Sequence, residues 1–324
     1  MASPNVSEII TTTLESRSGK LADNMLDNNA LLARLRSKGK VKPFSGGRKI
    51  YQELEYNDNG TVQAYSGFDT LDVSPSDVFT AAEFDIKQYS VAITASGLEL
   101  LQNAGKEQVI DLLESRISNA EKSLLNRIAA DIYGDGTSYG GKVIGGLQLL
   151  VADAPTSGTV GGINRATWSF WQNQVYDASS DGSGATSASN VQTYFNALYL
   201  ECSRGKDMPD LIVCDNAHFK FYWSSLQALQ RFGPDSDVAK LGFQTLKFMN
   251  ADVVFDGGQG GNCPASHTYM LNTDYIHWRP HTQRNFVPIG ADRFSVNQDA
   301  MVKLLGFAGN LTVSNCALQG VLKE

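Results

Sequence analysis

Between Tyr51 and Ile86 the chain carries eight carboxylates and no lysine or arginine. The stretch begins YQELEYNDNGTVQAYSGF, with Asn59-Gly60 set among strand formers. That dipeptide predicts a tight hairpin, because a type I′ turn requires positive φ at both central residues. Ile50, Leu54 and Tyr56 fall on one parity, as do Val62, Ala64 and Phe68, so the ribbon has one thin apolar face. A two-stranded ribbon this polar buries too little to stand alone in water. Some other surface, from this chain or from a second copy, must supply the missing core.

The residues just before it are opposite in charge. RLRSKGKVKPFSGGRK holds Arg34, Arg36, Lys38, Lys40, Lys42, Arg48 and Lys49 with no acid. Like-charge blocks are ordinarily solvated faces, but adjacent blocks of opposite sign suggest surfaces that meet between copies. We therefore expect Glu53, Glu55, Asp58, Asn59, Gly60, Tyr65 and Phe68 to form an intersubunit contact. Its expected complement is a basic arm of Arg34, Arg36, Lys38, Lys40 and Lys42, or the helix residues Arg116 and Arg127.

A second constraint comes from KEQVIDLLESRISNAEKSLLNRIAADIYGDG. Val109, Leu112, Leu113, Ile117, Ala120, Leu124, Ile128 and Ile132 keep one helical face across 106–133, and Gly134 fits a stop. The helix would be roughly 40 Å long at 1.5 Å per residue, with a polar opposite face. It reads as a spine packed on one side. Ahead of it, Ala82, Phe84 and Ile86 share a parity, whereas Tyr89, Val91, Ile93 and Ala95 lie on the other. Such a switch near Lys87-Gln88 predicts a bend or bulge in an extended segment. Ser96-Gly-Leu-Glu99 has the capping-box spacing, and 7–36 shows a weaker helical pattern.

Beyond the glycine-rich connection at 134–146 the texture is mixed. Helices are expected over 187–204 and 216–231, enclosing a buried strand at 210–215. Strands are expected at 246–255 and 269–278, with a last pair within 301–322. With 42% hydrophobic and 19% charged residues, the 324-residue chain belongs to folded proteins of ample core. Its formal charge of −7 opposes sequence-independent nucleic-acid binding as the main task. The first residues show no secretory h-region, and no apolar run reaches about 18 residues, so no membrane partner is expected. Cys202, Cys214, Cys263 and Cys316 lack metal-like spacing and are expected to be free thiols in a reducing cytosol.

Several motifs approach catalytic patterns. GTSYGGKV, from Gly136 to Val143, nearly matches a phosphate-binding loop. That loop needs a strand before it, a helix after it and a hydroxyl following the lysine, whereas a helix precedes here and Val143 replaces the hydroxyl. His277 and His281 in HWRPH are four apart, but Pro280 forbids a helix and no further ligand completes a zinc set. The bland reading, a strand edge and turn, is preferred. Trp168, Phe170 and Trp171 in ATWSFW are too close together for one buried face, although core packing is still the simpler account. No catalytic residue, cofactor or metal is expected.

The order of arm, acidic hairpin, spine helix, glycine loop, mixed region and closing strands resembles the major capsid proteins of tailed bacteriophages. These have the Hong Kong 97-type shell fold, of α+β class. The resemblance covers essentially the whole chain. It is carried by LLARLRSKGKVKPFSGGRKI, SPSDVFTAAEFDIKQYSVAITASGLELLQNAGKEQVIDLLESRI, GGINRATWSFW and NQDAMVKLLGFAGNLTVSN. It implies an N-terminal arm at 1–46 and an extended loop reaching over a neighbour at 47–91. A peripheral domain would follow at 92–151, an axial domain at 152–288 and a return to the peripheral strands at 289–324.

As function, the resemblance implies self-assembly through hexamers and pentamers into an icosahedral head shell, assembled in the host cytoplasm. Packaged double-stranded DNA would be non-specific cargo, and portal, scaffolding or cementing proteins would be partners. Some relatives weld neighbours through a lysine–asparagine bond with the lysine on this loop. Here no lysine lies between Lys49 and Lys87, so a non-covalent contact is expected. The alternatives are another virion component, such as a tail tube or decoration protein, and a nucleotide-dependent enzyme using 136–142.

Overall fold

A computed structural model of the chain describes residues 29–96, 106–227, 246–257, 261–290, 293–294 and 299–324. The fold is α+β, built on a four-stranded sheet, a six-stranded sheet, a two-stranded ribbon and a short pair of Thr159–Val160 with Ile163–Asn164. The expected helix over 7–36 is described only from Ala30 to Ser37 (α1), and of the capping box at 96–99 all but Ser96 lies outside the described residues. At the start of α1 the Asn29 side chain accepts from the amides of Leu31 and Leu32, an N-cap that satisfies two orphan donors.

The ribbon pairs β1 (Lys49–Glu55) with β2 (Phe79–Asp85), antiparallel, from Lys49 opposite Asp85 to Glu55 opposite Phe79. The expected tight hairpin at Asn59-Gly60 is not formed. Residues 56–78, which join the strands, contain no strand. The reason is burial: Ile50, Leu54, Ala82 and Phe84 lie on the covered face, whereas Val62 and Phe68 find no apolar partner and cannot hold a register. Asn59 instead nucleates a side-chain turn. Its carbonyl accepts from the Thr61 amide at 3.0 Å and hydroxyl at 2.8 Å, and from the Ser76 hydroxyl at 3.0 Å.

Directly after Ile86 the chain enters β3 (Lys87–Ser96), the parity switch marking a passage between two sheets. β3 pairs along its length with a later strand, Ala300–Val313, and the spine helix α2 (Lys106–Ile132) packs against β3. Buried Ile117, Ala120, Leu124, Ile128 and Ile132 form the helix stripe, as the 3.6-residue period requires.

The six-stranded sheet is drawn from strands between Gln174 and Lys323. Its strands are β4 (Gln174–Asp177), β5 (Leu211–Cys214), β6 (Leu246–Phe248), β7 (Ala251–Phe255) and β8 (His267–Leu271), closed by a last strand, Gly320–Lys323. Helices α3 (Val191–Glu201) and α4 (Asn216–Gln227) cover one face of it. Along β5, Ile212 and Cys214 join their core with Phe195, Leu198 and Tyr222. Leu211 and Val213 face the other way, into the core that holds Leu31, Leu32 and Leu35 of α1. A strand with both faces covered is apolar throughout, which is why LIVC was legible.

Two long strands, β9 (Ile276–Pro288) and β10 (Ala300–Val313), and the short Arg293–Phe294 join β3 in the four-stranded sheet. β10 lies between β9 and β3, and Phe307 stacks on Trp278 with centroids 5.6 Å apart. The final strand β11 (Gly320–Lys323) does not pair with β10. It crosses to the six-stranded sheet, parallel to β4 and antiparallel to β8, so the strands expected as a last pair serve different sheets.

Candidate assembly interface

The loop 56–78 carries five exposed large apolar side chains, Val62, Tyr65, Phe68, Leu71 and Val73, within twelve positions. Phe68 is 109% exposed, Val73 90% and Val62 85%, with Tyr65 and Leu71 beside them and Tyr51 and Phe79 on the flanking strands. A monomer rarely leaves apolar groups together in this way. Glu53, Glu55, Asp58, Asn59 and Gly60 are all exposed, so every expected contact residue on the ribbon is open to solvent.

The base of the ribbon, by contrast, is anchored. Glu83 donates its amide to the Gly161 carbonyl at 2.8 Å. Gly161 has φ +58, and a Cβ there would lie 2.9 Å from that of Ala82. Only glycine allows this approach. Lys49 is bonded to Glu83 at 2.6 Å, a pairing within the ribbon. Tyr56 stacks on Phe170 at 5.2 Å and meets Trp168 edge-on at 5.9 Å. The ATWSFW aromatics therefore divide: Trp171 is buried and donates to the Val160 carbonyl, while Trp168 and Phe170 cap the root of the loop. Core packing, the simpler expectation, holds for Trp171 and fails for Trp168.

The structure places the basic arm elsewhere than beside the acidic ribbon. Arg34 Nε donates to Asp210 at 2.8 Å and its guanidinium reaches Asp252 at 3.4 Å. Lys38 meets Asp210 at 3.1 Å and Asp274 at 3.2 Å, and Lys40 meets Asp274 at 3.3 Å. Burial alone would raise the Asp274 carboxyl, but hydrogen bonds and charge from Lys38 and Lys40 outweigh it and hold it low. Asp210 also accepts from the amide and hydroxyl of Thr273. Arg36 and Lys42 are exposed. On the spine, Arg127 is engaged by Asp131 at 2.7 Å, and Arg116 donates to the Thr94 carbonyl.

The arm then continues as a parallel addition to β9. Val41 bridges Trp278 and Phe44 bridges His281, with Lys42 and Phe44 amides donating to the Trp278 and Pro280 carbonyls. His277 is thus covered rather than at the strand edge expected for it, and Pro280 precedes a register shift. His281 stands edge-on to Phe44 at 5.0 Å. No cluster able to hold a metal occurs among the described residues.

At the glycine loop and just beyond it, three backbone amides are engaged within the chain. Ile144 donates to the Tyr89 hydroxyl at 2.8 Å, Gly145 to the Asn310 side chain at 3.2 Å and Gly141 to the Thr137 carbonyl at 3.0 Å. Among the described residues no helix is long and apolar enough to cross a membrane. The four cysteines are free, and burial pushes the Cys214 thiol up to about 12.

Sequence reasoning missed three features: the carboxylates Asp210, Asp252 and Asp274, the glycine contact at 161, and the aromatic root of the loop. Only the last had a signal, since three aromatics in four positions cannot all face one core.

Compared with solved structures, the fold is found again over most of the chain. The capsid asymmetric unit of cyanophage A-1(L) superposes with a TM-score of 0.62 at 16% identity, covering 88% of this chain and 90% of that one. The chain has the capsid-protein fold. The capsid of the empty GTA particle gives 0.58 at 12% identity, over 89% and 88% of the two chains. The SrpI encapsulin of Synechococcus elongatus PCC 7942 gives 0.51 at 8% identity, over 90% and 86%. At the level of sequence no family description matches the chain, nor does any curated protein.

Proposed function

We propose that the chain is a major capsid protein, self-assembling into the icosahedral head shell that encloses the double-stranded DNA of a tailed phage. One observation carries the reading: a shell-subunit fold spanning nearly the whole chain, with a projecting loop whose apolar residues have no cover in their own subunit. In this reading the four-stranded sheet with α2 is the peripheral domain. The six-stranded sheet with α3 and α4 is the axial domain, to which β11 also belongs. The loop 56–78 reaches over a neighbour, and 1–46 is the arm.

The chemistry is consistent with this role. A ribbon exposing Phe68, Val62 and Val73 gains stability when a second copy covers it, and such stabilisation depends on concentration. Rotational symmetry then repeats one modest contact many times. Net negative charge lets a shell line its interior without binding the genome tightly. Portal, scaffolding or cementing proteins would be accessory partners, and no catalytic step is assigned.

Electron microscopy of the expressed protein tests the reading, with closed particles as the expected product; open tubes would point to a tail component. The encapsulin likeness favours a second reading, a shell without a phage genome. Nuclease-protected double-stranded DNA inside particles from infected cells separates the two.

A further inference from the structure

Asn59-Gly60 is the one asparagine–glycine step in the sequence, and both residues are exposed on the loop 56–78. The Asn59 main-chain carbonyl accepts from the Val62 amide at 3.3 Å, which puts Gly60 at the second position of a turn. The Gly60 N–H donates to nothing among the described residues, and a Cβ built on Gly60 would meet nothing within 4 Å. That backbone nitrogen therefore lacks both a partner and side-chain cover.

The Asn59 side chain presents an activated carbon beside it. Its Oδ1 accepts from the Thr61 amide at 3.0 Å, the Thr61 hydroxyl at 2.8 Å and the Ser76 hydroxyl at 3.0 Å. Three donors on one carbonyl oxygen draw charge from Cγ and are in place to hold the oxyanion that forms when a nucleophile adds there. Hydrogen bonds to a charged oxygen are stronger than those to a neutral one, so the donors favour the addition over the unreacted amide. Nδ2, the leaving group, has no acceptor among the described residues. Asn57, two residues earlier and also exposed, is the contrast. There the Asp58 amide, which would have to attack, is spent as a donor to Asn57 Oδ1 at 3.1 Å, and no hydroxyl supports that oxygen.

We propose that Asn59 is a self-modification site. The Gly60 nitrogen adds to Asn59 Cγ and gives up its proton. The Cγ–Nδ2 bond then breaks, and Nδ2 leaves as ammonia carrying that proton, which closes a five-membered succinimide. Water opens the ring in one of two ways. Cleavage between the nitrogen and Cγ gives aspartate, whereas cleavage between the nitrogen and the Asn59 main-chain carbonyl carbon gives isoaspartate, with one more carbon in the backbone. Neither route needs an oxidant or a cofactor. Each adds a carboxylate to the eight already present between Tyr51 and Ile86. The reaction needs no second copy, so it stands or falls apart from the shell reading.

Peptide mapping by mass spectrometry tests it on the full-length protein aged in neutral buffer, with isoaspartate detected by enzymatic methylation. Conversion at Asn59 several times faster than at Asn57 is expected. Thr61→Val and Ser76→Ala should each slow it about fivefold, the difference between a hydrogen bond to a charged and to a neutral oxygen, and Thr61→Ser should restore it. Gly60→Ala, whose methyl crowds the attacking nitrogen, should slow it several-fold. Unchanged urea unfolding of each variant shows that the subunit still folds. Conversion no faster at Asn59 than at Asn57, or unaltered in Gly60→Ala, overturns the site. An unchanged or faster rate in either hydroxyl variant overturns the activation by Thr61 and Ser76.

Discussion

Phe68→Ser separates what the loop does for one subunit from what it does for many. Phe68 is 109% exposed, so its ring touches nothing that its own fold depends on. Replacing it should leave subunit stability within about 0.5 kcal/mol, the ordinary range for a surface change. Full burial of such a side chain is worth about 1.5–3 kcal/mol. If a neighbour covers it, each subunit contact weakens by that amount, a factor between about ten and about a hundred. The assay pairs urea unfolding of the dissociated subunit with the concentration at which particles appear. Unchanged unfolding and an assembly threshold raised at least several-fold are expected. An equal threshold, or a subunit destabilised by more than about 1 kcal/mol, would refute the reasoning.

Other perturbations probe the supports of that loop and of the arm. Asp210→Ala removes the acceptor of Arg34, Lys38 and Thr273 and leaves Arg34, 14% exposed, facing Asp252 alone. A cost of about 2–3 kcal/mol in urea unfolding is expected, below that of a fully buried pair, and a cost under about 0.5 would count against the arm's docking. Gly161→Ala forces a Cβ to 2.9 Å from Ala82 at a positive φ. It should cost about 1–3 kcal/mol and speed protease cleavage of the ribbon, and an unaltered cleavage rate would contradict the anchor. Burial, then the charges of Lys42, Lys40 and Arg279, depress the His277 imidazole from 6.5 to about 4. The folded chain then resists a proton that the unfolded chain accepts, so stability is untouched above about pH 7 and lost as pH falls from 6.5 towards 4. Urea midpoints of His277→Gln should fall less than wild type between pH 7 and pH 5; parallel curves would refute this.

Much of the fold could be read from periodicity, because burial in this chain is organised by long regular elements. The spine was legible through Ile117, Leu124 and Ile128, and the break between sheets through the parity change from Phe84 to Ile93. The hairpin turn misled because local turn chemistry at Asn59-Gly60 competes with long-range burial, and Ala82 with Phe84 supplied the better partner for Ile50 and Leu54. The crossing of β11 into the six-stranded sheet had no local signature, since a four-residue apolar strand fits either sheet equally. The same limit applies to the arm: its positive charge was obvious, whereas its partners lie 176 and more residues away at Asp210, Asp252 and Asp274. Exposure of Phe68, Val62 and Val73 was the decisive feature of the candidate interface. Sequence could only bound it, by showing how little core the ribbon owned.

The claim that this fold exists to tile a closed surface is tested most directly by imaging the purified protein with the electron microscope. Closed particles of icosahedral symmetry, with density for 56–78 lying on an adjacent subunit, are the predicted result. Monomers at every concentration, or particles in which that loop touches only its own subunit, would contradict it.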